Sequence, residues 1–517
     1  MDQNPETPCV CKTDESLTTS CNPIRQLLNF VGISYEGNQL FAGIARKYHM
    51  PIDHINFVAS QLLAGILAII FGVYIRPRPD NYEKRLWYLL VFGFFIAVVT
   101  FGPQTFHLIL LPSICYIPMK FMKSKLMPCY VLTIAMFYLS LVHIHRLWYG
   151  AVSLDITGPM MVMTQKITSL AYCIQDGSLQ SQDSLTNTQK YYAIKEVPVL
   201  LEYFSYIFQF QTLMAGPFIL FKDFKEFITG RNFKKYEYVM LKDLKDPGLY
   251  CEPSPFIPAM QKLIVSVICA LVFILVTCPI ERLKDEDFLA KGIPYQMCYI
   301  ILATSLVRFK YYHAWILADA ICNLSGLGFN GYDPITKKAK WDLTSNVDIY
   351  NFELGTNIRE SIDSWNKGTN LWLKLIVYSR VKKYNVLLTY LLSALWHGFY
   401  PGYYMTFLSG ALFTVAARVV RGSLRPYFQT SQSKIMFYNV LTIFVTRIIM
   451  GYLTFSFVLL EFWASLLVFW HMYFFLHILA VLSIVFLPRL LGPTEAPLRN
   501  RLTKLVANSN GVNSLHG

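Results

Sequence analysis

Charged residues are scarce in this sequence. Asp, Glu, Lys and Arg together make up 15% of its 517 residues, whereas a soluble domain contains about 25%. Hydrophobic residues make up 54%, and no polar stretch between the apolar segments is long enough to form a core of its own. The composition therefore excludes an ordinary soluble protein and predicts a polytopic membrane protein.

Cysteine is also sparse and forms no recognisable framework. The 11 cysteines are an odd number, and most stand singly in apolar runs, where thiols behave as small hydrophobic groups. Cys9, Cys11 and Cys21 cluster near the N-terminus, but no second pair follows at the spacing of a zinc site. We expect structural or incidental thiols, no metal ion and no cofactor.

Several catalytic and targeting signatures are missing as well. The sequence has no glycine-rich phosphate loop, no nucleophile elbow and no cysteine–histidine constellation. A group-transfer reaction catalysed by this chain would therefore proceed by direct attack, without a covalent enzyme intermediate. The polar N-terminus lacks the apolar core of a cleavable signal peptide, so we expect membrane insertion to start at an internal segment.

The charges that are present are mostly positive, with 46 Lys and Arg against 32 Asp and Glu and a net charge of +14. The basic residues lie in short loops, above all in residues 222–250 and 374–383. Such loops are typical of the cytoplasmic face of a membrane protein and can hold anionic ligands. Nucleic-acid binding is the poorer interpretation because apolar segments separate the basic residues.

Apolar segments of spanning length recur along the chain. Clear and interrupted segments together predict about 9–11 membrane helices, since one crossing needs roughly 20 apolar residues. The expected fold is an all-α polytopic membrane protein with re-entrant and interfacial helices around an internal catalytic chamber. Residues 46–490 are predicted to form one membrane domain. Residues 1–45 are predicted to be a polar tail with a possible interfacial helix, and residues 491–517 a polar, basic tail.

Two polar residues between positions 359 and 410 are the main candidates for chemistry. His397 lies in Leu-Trp-His-Gly inside an apolar run, where an ionisable side chain is costly and a histidine suits a proton acceptor. From the local pattern alone, a histidine that only bonds a neighbouring helix is the favoured interpretation. Asn366 lies in Ser-Trp-Asn, and its amide can stabilise an oxyanion or orient a carbonyl. From the residues alone, a helix cap is the favoured role for Asn366.

A Trp-Asn pair followed by Leu-Trp-His-Gly in a basic polytopic chain is similar to the membrane-bound O-acyltransferases. Over about residues 45–490, several segments resemble the lysophospholipid acyltransferase branch of this family and occur in the same order as there. In chain order they are TGPMMVMTQKITSLA, LLEYFSYIFQFQTLMAGP, RFKYYHAWILADA, GLGFNGYD and LSALWHGFYPGYYMTFLSG. The greatest likeness is to members that use lysophosphatidylethanolamine, lysophosphatidylserine and lysophosphatidylcholine. One departure is His313, where phenylalanine is more usual.

The resemblance implies a multi-pass enzyme of phospholipid remodelling in the endoplasmic reticulum membrane. Such an enzyme transfers a fatty acyl group from acyl-CoA to the sn-2 hydroxyl of a lysophospholipid within the bilayer. By the family pattern, His397 is the general base and Asn366 orients the acyl-CoA or stabilises the oxyanion. CoA leaves as a thiolate, and no metal takes part.

Residues around this pair are candidates for substrate binding. Aromatic side chains suit a chamber that packs acyl chains, although helix packing is an equally weighted alternative for them. Basic side chains suit phosphate groups, with Lys374 and Arg380 expected at a cytoplasmic rim that holds CoA. The full predicted set is Trp365, Trp396, Tyr403, Tyr404, Arg308, Tyr311, His313, Lys374 and Arg380.

Two other functions stay open on the sequence. One is a protein or sterol O-acyltransferase of the same family, although the diacylglycerol and sterol branch carries a longer aromatic motif before its asparagine than SIDSWN. The other is a transporter or lipid scramblase without catalysis. That function needs paired ionisable residues along a path and often repeated halves, and the sequence displays neither.

Overall fold

The computed structural model describes four parts of the chain: residues 38–149, 155–179, 183–234 and 253–491. These residues are helical and contain no β-strand, apart from one isolated antiparallel bridge between Tyr332 and Ala339. This architecture confirms the prediction of an all-α membrane protein. The predicted C-terminal tail and all but the last residues of the predicted N-terminal tail lie outside the described residues.

One short helix and five helices of 17–23 residues form the first part of the described chain. They are α1 (Ala42–Tyr48), α2 (Ile52–Tyr74), α3 (Tyr82–Phe101), α4 (Thr105–Phe121), α5 (Met127–Tyr149) and α6 (Thr157–Ser178). α2 begins directly after Pro51 and has Asp53 in its first turn, where a carboxylate favours the positive end of the helix dipole. It ends before residues 76–79, where two prolines cannot continue a helix.

Four short helices follow, of which the first is mostly exposed and the second and third are largely buried. They are α7 (Asn187–Tyr192), α8 (Leu200–Ile207), α9 (Phe210–Leu213) and α10 (Phe221–Thr229). Lys166 of α6 is buried, and its Nζ donates to the Tyr206 carbonyl at 2.8 Å and to Thr212 Oγ1 at 2.8 Å. A cation is favoured there because the last carbonyls of α8 lack helical partners. Lys166 therefore stabilises the break between α8 and α9.

The second half contains the segment with the candidate residues. Its helices are α11 (Phe256–Leu275), α12 (Glu286–Leu289), α13 (Ile293–Leu324), α14 (Ile349–Glu353), α15 (Ile358–Ser364), α16 (Lys367–Leu373), α17 (Asn385–His397), α18 (Pro401–Leu424), α19 (Gln432–Leu459), α20 (Phe462–His471) and α21 (Phe475–Leu491). A loop of residues 325–348 joins α13 to α14, as its polar, glycine-rich sequence predicts. A π-helical turn, Lys374–Tyr378, extends α16, and such turns frequently occur at functional sites.

Within the described ranges, six helical segments are long and apolar enough to cross a membrane, so the protein is multi-pass. One of them, Pro79–Phe121, has 43 residues, about twice the length that one crossing needs. Helices α20 and α21 are bent by 72° and add a seventh span if they are counted together. The count falls below the predicted 9–11, estimated at about 20 apolar residues per crossing, because α6, α8 and α17 are too polar or too short.

The stretch of residues 358–397 joins two hydrophobic clusters. The first cluster combines buried residues of α2–α6 and α8–α10 with Trp372 and Trp396. The second combines residues of α13 and α18–α21 with Ile358. Burial of apolar surface on both sides fixes this stretch, so the candidate residues lie where the two clusters meet.

Candidate active site

Asn366 precedes the first residue of α16 and caps this helix. Its backbone is left-handed, with φ 44° and ψ 56°, a conformation that asparagine tolerates better than most residues. Its Oδ1 accepts hydrogen bonds from the Thr369 amide at 3.4 Å and from Asn346 Nδ2 at 3.2 Å. Among the described residues, none bonds its Nδ2. The cap therefore uses only the oxygen of this amide and leaves the NH2 group available.

His397 is the last residue of α17 and lies among aromatic rings. The ring centroids of Tyr403, Phe407 and Phe457 lie 5.5, 5.1 and 5.1 Å from that of His397. The side chain is half-buried, and neither ring nitrogen has a hydrogen-bond partner in the described parts of the chain. Ring packing therefore holds the imidazole while both nitrogens stay available for proton transfer.

Gly398 and His143 fix the end of α17. Gly398 has φ 115° and ψ −161°, a conformation that essentially only glycine adopts. His143 packs directly against it, so that a Cβ on residue 398 would lie 2.8 Å from His143 Nδ1. The Nε2 of His143 donates to the Trp396 carbonyl at 3.0 Å, since a carbonyl can only accept. His143 thereby anchors the backbone next to His397.

Replacing Gly398 by alanine is expected to lower both stability and turnover. The new Cβ meets the His143 ring and the backbone cannot keep its angles, at a cost of about 1–3 kcal/mol. Thermal unfolding in detergent and the acyl-transfer rate measure the two effects. Gly65→Ala is the matched control because its Cβ has no neighbour within 4 Å. An unchanged melting temperature and rate in Gly398→Ala would contradict this description of the helix end.

Helix α6 brings the two candidates together. Gln165 Nε2 donates to Thr369 Oγ1 at 2.7 Å, three residues after Asn366. Trp396 Nε1 donates to the Met161 carbonyl at 3.0 Å, one residue before His397. Met161 and Gln165 are one turn apart on α6, about 6 Å along its axis. Both candidate segments are thus attached to the same short part of one helix.

Aromatic side chains surround the Asn366 side of the site as well. Trp365 packs against Tyr311, Trp315 and Phe352, with ring centroids 5.9, 4.9 and 4.9 Å away. Tyr403 lies on the ring of His397. The predicted wall residues Trp365, Tyr311 and Tyr403 are therefore near the pair. The arrangement offers a free amide NH2 and a free imidazole in a largely apolar setting, which suits acyl transfer to a hydroxyl.

Comparison with known proteins decides the family. The model of the MBOAT, membrane-bound O-acyltransferase family matches residues 95–460. The protein belongs to the membrane-bound O-acyltransferase family. It is 41% identical to Lysophospholipid acyltransferase 6 of Drosophila melanogaster over 490 residues, which cover 93% of this chain and 67% of the fly protein. It is 38% identical to human Membrane-bound glycerophospholipid O-acyltransferase 1 over 447 residues, 85% of this chain and 90% of the human protein.

The family assignment confirms that the protein is an O-acyltransferase. A third relative, Lysophospholipid acyltransferase of Saccharomyces cerevisiae, is 33% identical over 396 residues, 71% of this chain and 63% of the yeast protein. The matched range of the family includes both Asn366 and His397. Their catalytic roles stay predictions, which the available NH2 group and the free ring nitrogens of this acyltransferase support.

Arg308 of the acyltransferase belongs to an ion network beside the aromatic side chains that pack around Trp365. Its Nε and Nη2 donate to the two carboxylate oxygens of Glu353 at 2.8 and 2.9 Å. Arg447 Nη1 donates to the same carboxylate at 3.0 Å, and the Tyr312 hydroxyl does so at 2.6 Å. The network connects α13, α14 and α19. Phosphate binding by Arg308 stays a prediction, but Glu353 already occupies two of its donors.

Replacing Glu353 by alanine is expected to destabilise the acyltransferase by roughly 3 kcal/mol, because two partly buried arginines lose their shared counter-ion. Burial alone raises the pKa of this carboxyl, but Arg308, Tyr312 and Arg447 outweigh burial and hold the pKa below its usual range. The stabilisation is therefore complete at neutral pH and is lost as the pH falls below about 4. Thermal unfolding across pH measures both effects.

The control for this prediction is Lys340→Ala, which removes an exposed ion pair with Asp342 at 4.0 Å. Such surface pairs contribute about 0–1 kcal/mol. A Glu353→Ala variant as stable as this control would show that the network contributes little.

Two basic residues of the segment 374–383 form ion pairs with carboxylates of the protein itself. Lys374 Nζ donates to Asp363 Oδ1 at 3.0 Å. Arg380 forms a two-pronged pair with Asp176, with distances of 2.9 and 2.7 Å. Binding of CoA by these two residues stays a prediction, and it would require them to share or exchange their carboxylate partners.

The remaining predicted residues have separate surroundings. Trp396 is buried and bonded to α6, and its contact with substrate stays a prediction. His313 Nδ1 lies 2.9 Å from Ser266 Oγ on α11. Tyr404 is half-buried, without a ring contact in the described residues. Within those same ranges no group of three metal-ligating side chains is close enough to hold a metal ion.

Sequence reasoning missed three residues that build the site: Gln165, Trp372 and Asn346. Trp372 Nε1 donates to Thr168 Oγ1 at 2.9 Å and fixes α16 on α6. For Gln165 the available signal was the polar residues inside the moderately apolar segment TGPMMVMTQKITSLA, which a lipid-facing helix would not carry.

Proposed function

We propose that this acyltransferase transfers a fatty acyl group from acyl-CoA to the free sn-2 hydroxyl of a lysophospholipid, in the endoplasmic reticulum membrane. The observation that carries the proposal is the unbonded imidazole of His397 at a helix break, in a segment held by the same turn of α6 that holds the segment with the available NH2 group of Asn366. The names of the three relatives support the acceptor class. Lysophosphatidylethanolamine, lysophosphatidylserine and lysophosphatidylcholine are the proposed acceptors.

The proposed reaction is a single displacement. A ring nitrogen of His397 takes the proton from the acceptor hydroxyl as that oxygen attacks the thioester carbonyl carbon. The Asn366 NH2 group donates a hydrogen bond to the oxyanion that forms. The carbon–sulfur bond then breaks, the ester remains, and the proton on His397 passes to the CoA thiolate. The step balances without a metal ion or a redox cofactor.

The aromatic surroundings have a chemical use in this mechanism. Phe407, Phe457 and Tyr403 enclose the imidazole and offer apolar contact to acyl chains. An apolar chamber also keeps water away from the activated thioester, so that the lipid hydroxyl rather than water attacks it. The same exclusion strengthens the hydrogen bond from Asn366 to the oxyanion.

An acceptor panel tests the proposal. Purified protein in detergent is incubated with labelled oleoyl-CoA and, separately, the three lysophospholipids, cholesterol and a peptide. We expect labelled phospholipid and no labelled sterol ester or peptide. Transfer to cholesterol or to the peptide would favour the other branches of the family. No transfer to any acceptor, together with lipid flux across vesicles that contain the protein, would favour a transporter.

A further inference from the structure

Asn346, near the end of the loop of residues 325–348, reaches the cap of α16 and is 6% exposed. Its Nδ2 donates to Asn366 Oδ1 at 3.2 Å, and its Oδ1 accepts from the Gly368 amide at 3.0 Å. Its backbone carbonyl accepts from the Lys367 amide at 2.8 Å. Three hydrogen bonds thus join Asn346 to the residues that surround the candidate catalytic amide.

These contacts determine which way the Asn366 amide faces. The Gly368 amide can only donate, so it must meet the oxygen of Asn346 and turn the Asn346 NH2 group towards Asn366. Asn366 then has to present its own oxygen, which also accepts from the Thr369 amide. If the Asn366 amide were flipped, its NH2 group would face two other donors, the Asn346 NH2 group and the Thr369 amide. Without Asn346, only the long hydrogen bond from the Thr369 amide, at 3.4 Å, would favour this orientation over the flipped one.

We infer that Asn346 is a positioning residue that holds Asn366 with its NH2 group, rather than its oxygen, towards the reacting carbonyl. The inference rests on the proposed function, because it gives the Asn366 NH2 group a role in acyl transfer. Asn346 acts through Asn366.

The residues before Asn346 are held firmly enough for this role. Asp319 of α13 is 3% exposed and accepts from Thr344 Oγ1 and from Ser345 Oγ, each at 2.6 Å. Lys262 of α11 pairs with the same carboxylate at 2.7 Å. A rigid support of this kind limits the freedom of the residue that orients a catalytic group.

The test is Asn346→Asp, which keeps the size of the side chain and an oxygen for the Gly368 amide but removes the donor to Asn366. Two oxygens would then face each other, so Asn366 is expected to flip. We expect kcat to fall roughly 100-fold, as for loss of an oxyanion donor, with the KM for acyl-CoA within about twofold. The matched control is Asn330→Asp on the same loop, whose exposed Nδ2 donates to Asp342 at 2.9 Å. Its kcat is expected to stay unchanged.

A double-mutant cycle completes the test. Asn346→Asp is expected to cause no further loss of kcat in an Asn366→Ala background, because the amide to be oriented is gone. Independent losses that multiply, or a wild-type kcat in Asn346→Asp, would overturn the inference. If Asn346→Asp does not fold, Asn346→Ser removes the amide without adding charge and gives the same comparison. A fully active Asn366→Ala would instead refute the proposed reaction itself.

Discussion

Replacing His397 by alanine is expected to lower kcat by roughly 10²- to 10⁴-fold, the range that a positioned general base contributes. The acceptor hydroxyl would have to lose its proton without a base among largely apolar side chains. Initial rates of labelled oleoyl transfer to lysophosphatidylethanolamine measure the loss. The KM for acyl-CoA is expected to change little, because the imidazole acts on the acceptor.

His471→Ala is the control for this prediction because it removes an exposed histidine at the end of α20 and should keep the wild-type rate. The melting temperature of His397→Ala is expected to fall only through the ring packing that it loses, since its ring makes no hydrogen bond in the described structure. A rate near that of the wild type in His397→Ala would refute His397 as the base.

Replacing Asn366 by aspartate is expected to lower kcat by roughly 10²- to 10³-fold while the protein stays folded. The carboxylate keeps an oxygen that can cap α16 for Thr369, but it has no NH2 group to stabilise an oxyanion. Its negative charge would also oppose the charge that develops on the carbonyl oxygen. Acyl-transfer rates and thermal unfolding, measured on the same preparation, give the two quantities.

Asn366→Gly and Asn366→Ala separate the two roles of this residue. Glycine keeps the left-handed backbone and costs only a few tenths of a kcal/mol as a cap, whereas alanine costs about 1 kcal/mol. Both remove the amide, so both should be nearly inactive, and only alanine should be measurably less stable. If Asn366→Asp keeps full activity, the residue is a helix cap and nothing more.

Part of this site can be predicted from the sequence. The helix cap at Asn366 could be predicted from residue type, and the break after His397 from Gly398 and Pro401. The free NH2 group of Asn366 could not be predicted, because it depends on Asn346 in a loop twenty residues earlier. Likewise, His143 lies on α5 and anchors the end of α17. The local sequence pattern of either helix does not predict this contact between residues far apart in the chain.

Hydropathy predicted the fold class, whereas the described residues contain six long spans, or seven with the bent pair, against the predicted 9–11. A window of residues cannot tell a lipid-facing helix from one such as α6, which other helices surround almost completely. Similarly, a charged residue at membrane depth indicates that it has a partner, but the sequence does not show which residue that partner is. Arg308 looks like a phosphate ligand in sequence, yet its carboxylate partner Glu353 lies beyond the loop of residues 325–348.

A single-turnover experiment tests the central claim most directly. Excess protein is mixed with labelled oleoyl-CoA, with and without lysophosphatidylethanolamine, and the label is followed in acyl-CoA, protein and phospholipid for wild type and His397→Ala. Direct attack predicts that label passes to phospholipid only with acceptor, roughly 10²- to 10⁴-fold more slowly in His397→Ala than in the wild type, and never onto the protein. Labelled protein, or phospholipid formed by His397→Ala at the wild-type rate, would contradict the mechanism.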